Sequence, residues 1–461
     1  MDGPATEERH HPDPQHSLTD SELRAWVEAT TGGQITDWSV ISGGNRCRSW
    51  AVDCKTPDGS TLPLYLRYQP PRPPSSEPYT VWREAKVYGL LGQTSVRAPR
   101  LIAAHAGHPA ILTERVPGRA DFRRIGSDAE KTAIARDFVA ALATLHATPV
   151  DPSRLSGGAA DTIADCVRTE IAIWRAMYDE AKRRDPLIEF ALDWLSAHVP
   201  TPAEAPVLVH GDAGQGNFLF ENGKMTALLD WELSHPGDPM EDLAWFSMRS
   251  VMEPVPDFTD CLRAYAKASG RAIDVGRILY HRVFVSARVV IIRHRNITGE
   301  PGNSIVSRAL NRRLLVDALA AANGKPLPAI APLHCAPTAQ TALYDGVISN
   351  LQDDIAAGTK TPGVIAAAKN AAKVVKYLRE IDRLGPSIAQ LDKDALASLP
   401  GVAGADDPDA ALCDAILAQA VPFDTALRFF AGRVAREAQL AAPSSGGLAT
   451  RSFPDLHQGA F

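Results

Sequence analysis

The sequence predicts an α+β chain: a small antiparallel β region, a larger and mainly helical region, and a final all-helical segment. Three observations point there. Between residues 35 and 115 the apolar residues fall in short runs bounded by Pro, Gly and Asp, the signature of strands. From about Pro117 the apolar spacing changes to three and four, the period of helices that bury one face. A composition break at Asn323–Pro337, with four prolines in NGKPLPAIAPLHCAP, sets off a last group of Ala-rich amphipathic stretches.

Residues 1–16 are polar and Pro-containing and read as a disordered tail without the apolar core of a signal peptide. A short helix over Ser17–Thr31 shares one face among Leu23, Trp26 and Val27. Strands follow at Ile35–Ile41, Ser49–Cys54 and Leu62–Tyr68, the last two joined by a TPDG turn. A Pro-rich loop, Pro70–Pro78, leads to a helix at Thr80–Leu91, and two apolar runs, Arg100–His105 and Ala110–Arg115, complete the sheet. Helices are expected at Lys131–His146, Ala164–Glu180, Pro186–His198, Asp257–Ala268 and Val275–Arg295, with one more ending near Ala321. Beyond the linker, Ala339–Ala356, Thr361–Leu384, Asp392–Leu399 and Asp407–Ala438 read as helical, and Ala442–Phe461 as a loop-like tail. The expected divisions are 1–16, 17–116, 117–322, 323–337, 338–440 and 441–461.

Composition narrows the function classes. At 461 residues the chain exceeds a usual single domain. A net charge of −6 provides no global attraction to nucleic acid or an anionic membrane. The longest apolar run, near Val283–Ile292, is interrupted by Ser286 and Arg288 and is too short to span a bilayer. Six cysteines without a CxxC spacing read as reduced, packed thiols of a cytoplasmic protein.

The chemistry concentrates in VLVHGDAGQGNFLFENGKMTALLDWELSHPGDPMEDLAW, residues 207–245. His210-Gly211-Asp212 is followed five residues after the aspartate by Asn217, and Asp230-Trp231-Glu232 begins thirteen residues after that asparagine. Phosphoryl transfer needs a carboxylate at the attacking hydroxyl and oxygen ligands for a magnesium ion on the phosphates. Asp212 is the candidate base, placed on a loop after the apolar run Val207–Val209. Asn217 offers a neutral oxygen and Asp230 an anionic one to a hard cation. Glu232 could assist the metal through water or hold a helix end, and His210 is expected to brace the loop rather than move a proton. Asp238, followed by Pro239, fits a helix cap, and Asp242 is read with it as structural support.

Upstream, Ser42-Gly43-Gly44-Asn45 sits between two β-like runs, where glycines let backbone N–H groups approach phosphate oxygens. A cation on the α/β-phosphates is expected from the third strand, held by a helix carboxylate; Arg67 and Glu84 are the candidate pair. The backbone of Glu114 to Val116, in TERVPG, lies where an adenine edge would pair, or is an ordinary interdomain crossing. Arg293-His294-Arg295 could meet a CoA phosphate or form a solvated helix end.

Together, ISGGN, LYLR, REAKVYGLL, ILTERVPG, LATLHATP, VLVHGDAGQGNFLF and ALLDWELSHPGDPMEDLAW resemble the aminoglycoside-phosphotransferase-like kinase family, in family order over roughly residues 20–320. The resemblance implies a bilobal protein-kinase-like fold with a nucleotide-binding β lobe and a catalytic helical lobe. It also implies ATP or GTP as donor, Mg2+, and a small-molecule hydroxyl acceptor. Arg67 stands where the family commonly has lysine. That departure, the Pro-rich loop and DWELSHPGDP look most similar to the branch associated with acyl-CoA dehydrogenases, which includes hydroxyacyl-CoA kinases. The implied acceptor is an acyl-CoA, with neither nucleic acid nor membrane as partner. An antibiotic, sugar or amino-alcohol kinase and a pseudokinase scaffold are the alternatives. The C-terminal helical segment, about 335–461, looks similar to a small helical partner found with some bacterial kinases of this kind, here fused in one chain; read from its pattern alone it is a docking or cap module that could bind a protein partner or a second copy.

Overall fold

A computed structural model describes residues 17–41, 47–72, 75–149, 155, 161–295 and 301–456. The expected N-terminal tail, the Ser42–Asn45 loop and the last five residues lie outside the described residues. The chain groups into two compact units. One comprises residues 1–159, 207–212 and 216–236; the other comprises 160–206, 213–215 and 237–461. The partition therefore does not break at residue 116, and the C-terminal helices fall in the same unit as residues 237–322.

The first unit is built on a five-stranded antiparallel sheet: β1 (Gln34–Ile41), β2 (Arg48–Lys55), β3 (Thr61–Tyr68), β4 (Leu101–Ala104) and β5 (Ala110–Glu114). The strand order is β1-β2-β3-β5-β4. Side chains alternate between faces along a strand. Trp50, Val52 and Cys54 of β2 and Leu64, Leu66 and Tyr68 of β3 accordingly share one buried face with Leu23 and Val27 of the N-terminal helix and with Leu18 just before it. That helix, α1 (Asp20–Thr31), starts three residues later than the expected Ser17. Thr19 is its cap, in a reciprocal box with Glu22 that satisfies two helix-start donors. Arg67 falls on the opposite face of β3, where α2 (Val81–Leu91) supplies Glu84.

The same unit contains α3 (Asp128–Ala147), the short strand β6 (Val207–Val209), and the hairpin β7 (Phe218–Glu221) with β8 (Lys224–Leu228). Asp137 of α3 locks this hairpin in place. It accepts from Arg97 Nη1 and Nη2 at 2.9 and 2.8 Å and from the Met225 backbone N–H at 2.8 Å.

The second unit is helical: α4 (Ile163–Asp179), α5 (Pro186–Ala197), α6 (Pro239–Met252), α7 (Phe258–Ser269), α8 (Val275–Arg295), α9 (Pro301–Ala322), α10 (Thr341–Ser349), α11 (Pro362–Ala397), α12 (Pro408–Leu417) and α13 (Phe423–Ser445). Asp238 caps α6 as expected, with Pro239 in the first turn, and its carboxylate also accepts from Arg277 Nε at 2.8 Å.

Three differences from the sequence reading concern the C-terminal helices. Thr361–Leu384 and Asp392–Leu399 are one continuous helix, α11, which runs through Pro386. Proline removes one helical donor, but buried Leu384 and Ile388 fasten the helix on both sides of it. Asp407–Ala438 is instead split into α12 and α13, with Asp407 capping α12. The expected tail from Ala442 begins as helix, because α13 continues to Ser445, whose neighbour Ser444 donates to the Lys373 carbonyl at 2.7 Å. The proline-rich linker is pinned as well: Leu333 exchanges backbone bonds with the Gln439 amide at 3.0 and 2.7 Å.

No helix among the described residues is long and apolar enough to cross a membrane. The six cysteines form no disulfide.

Candidate active site

Two loops of the first unit carry the candidate chemistry, and His210 joins them. Its ring is fully buried; Nε2 lies 2.8 Å from the Leu229 carbonyl, and Nδ1 accepts from the Asp212 N–H at 3.3 Å. The ring also sits 4.7 Å from the Trp231 ring, itself fully buried. His210 is thereby a brace, as the sequence suggested. Gly211 is needed beside it. Its φ is +80°, and a Cβ there would collide with the Leu233 carbonyl.

Asp212 is half-buried at the end of the first loop. Asn217 is 7% exposed, and its Nδ2 donates to the Asp212 carboxylate at 2.9 Å and to the Asp212 carbonyl at 2.8 Å. The Asn217 carbonyl accepts from the Leu229 N–H at 2.8 Å, so Asn217 lies beside the residue that precedes Asp230. Asp230 adopts a left-handed backbone (φ +65°, ψ +64°), uncommon for a residue with a Cβ and a frequent mark of functional turns.

Arg67 is the centre of the second loop's charges. Nη1 donates to Asp230 Oδ1 at 2.7 Å and Nη2 to Glu232 Oε2 at 2.7 Å. The Glu84 carboxylate is farther off, 3.4 Å from Nε and 3.5 Å from Nη1. The expected Arg67–Glu84 pair is present, but the shorter bonds run to Asp230 and Glu232, 163 and 165 residues away in sequence. A planar guanidinium can serve several carboxylates in this way, and a lysine ammonium cannot match that fork geometry.

Only 1% of the Glu84 side chain is exposed. Burial pushes its carboxyl up to about 7, with Arg67 opposing the rise and Asp230 adding to it. Burial also works against the Arg67 charge, but the surrounding carboxylates outweigh it and hold the guanidinium protonated. Burial raises the neighbouring Cys47 thiol, and Arg67 counteracts that shift. Cys47 drew no attention in the sequence because nothing local marks it.

The α2 helix and the second loop are also joined by Arg83, which donates from Nε and Nη2 to the Ser234 carbonyl at 3.1 and 2.9 Å. The Glu114–Gly118 crossing is anchored to the sheet and to the hairpin. Arg115 N–H donates to Pro63 at 3.0 Å, and Thr226 Oγ1 to Pro117 at 2.9 Å. The Val116 N–H has no hydrogen-bond partner among the described residues. Gly118 has φ +129°, and a Cβ there would press on Thr226, Leu219 and Phe220.

The structure thus brings Asp212 against Asn217, and Arg67 against Glu84, Asp230 and Glu232. It places Glu114 and Val116 at the end of β5.

A model of the phosphotransferase enzyme family matches residues 37–279, just over half of the chain, and the chain belongs to that family. Its fold is kinase-like. Acyl-CoA dehydrogenase family member 11 of Homo sapiens is 30% identical over 195 residues, covering 40% of this chain and 25% of that protein. The Rattus norvegicus protein of the same name is 30% identical over 256 residues, covering 51% of this chain and 32% of that protein. The chain therefore spans about a quarter to a third of these relatives' length. Among solved structures, a Ralstonia eutropha chain provisionally described as an aminoglycoside phosphotransferase superposes with a TM-score of 0.50. It is 23% identical, covering 67% of this chain and 99% of that one, a likeness that bears on the fold alone.

Proposed function

We propose that this protein transfers the γ-phosphoryl group of ATP, with Mg2+, to a hydroxyl of a small molecule, and that the acceptor is a hydroxyacyl-CoA. The observation that carries the phosphoryl-transfer reading is the joint between the two loops. Asn217 binds the Asp212 carboxylate through its side chain and the Leu229 N–H through its backbone, so base, amide and Asp230 belong to one local cluster. The acyl-CoA reading is supported by the relatives' names and by Arg67 at the third strand.

In this reading Asp212 takes the proton of the acceptor hydroxyl as that oxygen attacks the γ-phosphorus, and the bond from phosphorus to the ADP oxygen breaks. Asn217 orients the Asp212 carboxylate by hydrogen bonding. The Asn217 side-chain oxygen and the Asp230 carboxylate would hold Mg2+. The donor set fits, because magnesium takes one or two protein oxygens and fills its shell with phosphate and water. Among the described residues no group of three or more His, Cys, Asp or Glu forms a full metal cage, which magnesium does not need. When bound, the ion offsets charge on the transferring phosphate. Arg67 offers a cation to the phosphates, and Glu84 keeps it in place. The Ser42, Gly43, Gly44 and Asn45 backbone would cover the phosphates, and Glu114 and Val116 would pair with the adenine edge. The reduced thiols fit a cytoplasmic setting.

The test is phosphate transfer from ATP and Mg2+ to 3-, 4- and 5-hydroxyacyl-CoAs, their free acids, aminoglycosides and macrolides. Transfer to a hydroxyacyl-CoA but not to its free acid is expected. Transfer only to an antibiotic would leave the mechanism and remove the acyl-CoA assignment.

A further inference from the structure

The second unit contains a pocket lined by Arg183, Asp185, Val290, Arg293, His294, Arg308, Asn311 and Arg312, about 290 Å³ with its solvent mouth included. None of these residues belongs to the phosphoryl-transfer site. Its lining carries four arginines against one aspartate, a formal excess of three positive charges with His294 neutral.

The charges divide into a floor and a rim. On the floor, buried Arg312 donates to Asp185 Oδ2 at 2.6 Å and to Glu437 Oε2 at 2.8 Å, so its charge is already met. Burial alone would raise the Asp185 carboxyl, but Arg312 outweighs it and holds Asp185 ionised. His294 is held by Arg183, through its backbone carbonyl and its guanidinium. Its Nε2 lies 2.6 Å from the Arg183 carbonyl, and its Nδ1 3.4 Å from Arg183 Nη2. Burial lowers its pKa, which favours the neutral ring. Arg183, Arg293 and Arg308 make no ion pair with any described residue. Three arginines from three chain segments, held over a floor where one guanidinium meets two carboxylates, form a concave surface whose net charge is still positive. Guanidinium groups suit phosphate oxygens because they can donate two parallel bonds.

We propose that this pocket is an anion subsite for the phosphate of a small-molecule ligand, either CoA or a separate phosphorylated metabolite. The first source rests on the acyl-CoA reading above; the subsite itself does not. Arg295, next in sequence, takes no part, since it pairs with Glu180 at 2.7 Å.

The experiment is calorimetric titration of the full chain, wild type and the double variant Arg293→Gln/Arg308→Gln, with CoA, CoA lacking its 3′-phosphate, inorganic pyrophosphate and a non-hydrolysable ATP analogue. Circular dichroism confirms that the variant is folded. The expected result is a roughly tenfold or larger loss of CoA affinity in the variant with the ATP analogue little changed, as for the loss of charge-assisted hydrogen bonds. CoA lacking the 3′-phosphate should bind more weakly and respond less to the substitution. If pyrophosphate binding falls and CoA binding does not, the subsite stands and the separate metabolite is its ligand. If no phosphate-bearing probe responds to the substitution, the proposal is overturned. Absence of transfer to any hydroxyacyl-CoA, with the anion binding intact, would strike the acceptor assignment alone.

Discussion

The two charged clusters of this protein have opposite deficits. In the candidate active site one guanidinium, Arg67, faces three carboxylates, Glu84, Asp230 and Glu232. In the second-unit pocket four arginines face one lining carboxylate, Asp185. The first is short of positive charge and suits a divalent cation. The second is short of negative charge and suits a phosphate. Burial separates them further. Arg67 is 12% exposed and held on several sides, whereas Arg183 and Arg308 are exposed. Surplus charge on its own says little. Its sign, its burial and the partners already taken decide which ligand could complete it.

The comparison can be broken first at Asp212. Asp212→Ala should lower turnover by about 10²–10⁴-fold, the range for loss of a general base, with folding stability changed by less than about 1 kcal/mol. Turnover and urea unfolding measured on the same preparation check this, and equal loss of both would end its catalytic assignment. Next is Asp230→Ala, which removes one of the three carboxylates and should raise the Mg2+ concentration needed for half-maximal activity by about tenfold or more. A magnesium titration that matches wild type would remove Asp230 from the metal site.

Arg67→Ala should destabilise the fold by about 3 kcal/mol, because it leaves buried carboxylates without a cation. Arg67→Lys should recover only part of that, for want of the fork. Arg308→Gln, on the exposed rim, should stay within about 0.5 kcal/mol. Chemical denaturation of the three variants compares the clusters directly, and similar costs for Arg67 and Arg308 would show that burial does not distinguish them.

A further way to break the comparison uses pH. Glu84 titrates near 7 in the folded protein against an ordinary value of 4.5, since burial disfavours its charge. The folded state therefore holds this proton after the unfolded chain has released it. The contribution to stability is present below about 4.5 and is lost as pH rises towards 7. Glu84→Gln should flatten the fall in stability across that window, and unfolding midpoints at pH 5, 6 and 7 will show it. An unchanged slope would mean that Glu84 is not the group responsible.

Much of this was readable along the chain. The alternation of Leu64, Leu66 and Tyr68 against Arg67 follows from strand geometry, so both the sheet and the face that carries Arg67 were legible. Asp238-Pro239 predicted its own helix start for a local reason, the satisfaction of helix-end donors. The spacing of Asp212, Asn217 and Asp230 was legible because loop motifs keep their order and distance in sequence. Pro386 misled, since local propensity argues for a break there and packing of Leu384 and Ile388 overrides it.

Other features have no local trace. That Arg67 makes its shorter bonds to Asp230 and Glu232 depends on closing a chain separation of more than 160 residues. Arg183, Arg293, Arg308 and Arg312 look like four scattered basic residues until the helices pack. Of Arg293-His294-Arg295, the sequence offered a single basic run, and folding sent Arg293 and His294 to the pocket and Arg295 to Glu180. Patterns with a period of two or four residues, and motifs on one loop, are written locally because they arise from local backbone geometry. The charge balance of a site is a sum over segments distant in sequence, and it exists only once burial and long-range contacts bring them together.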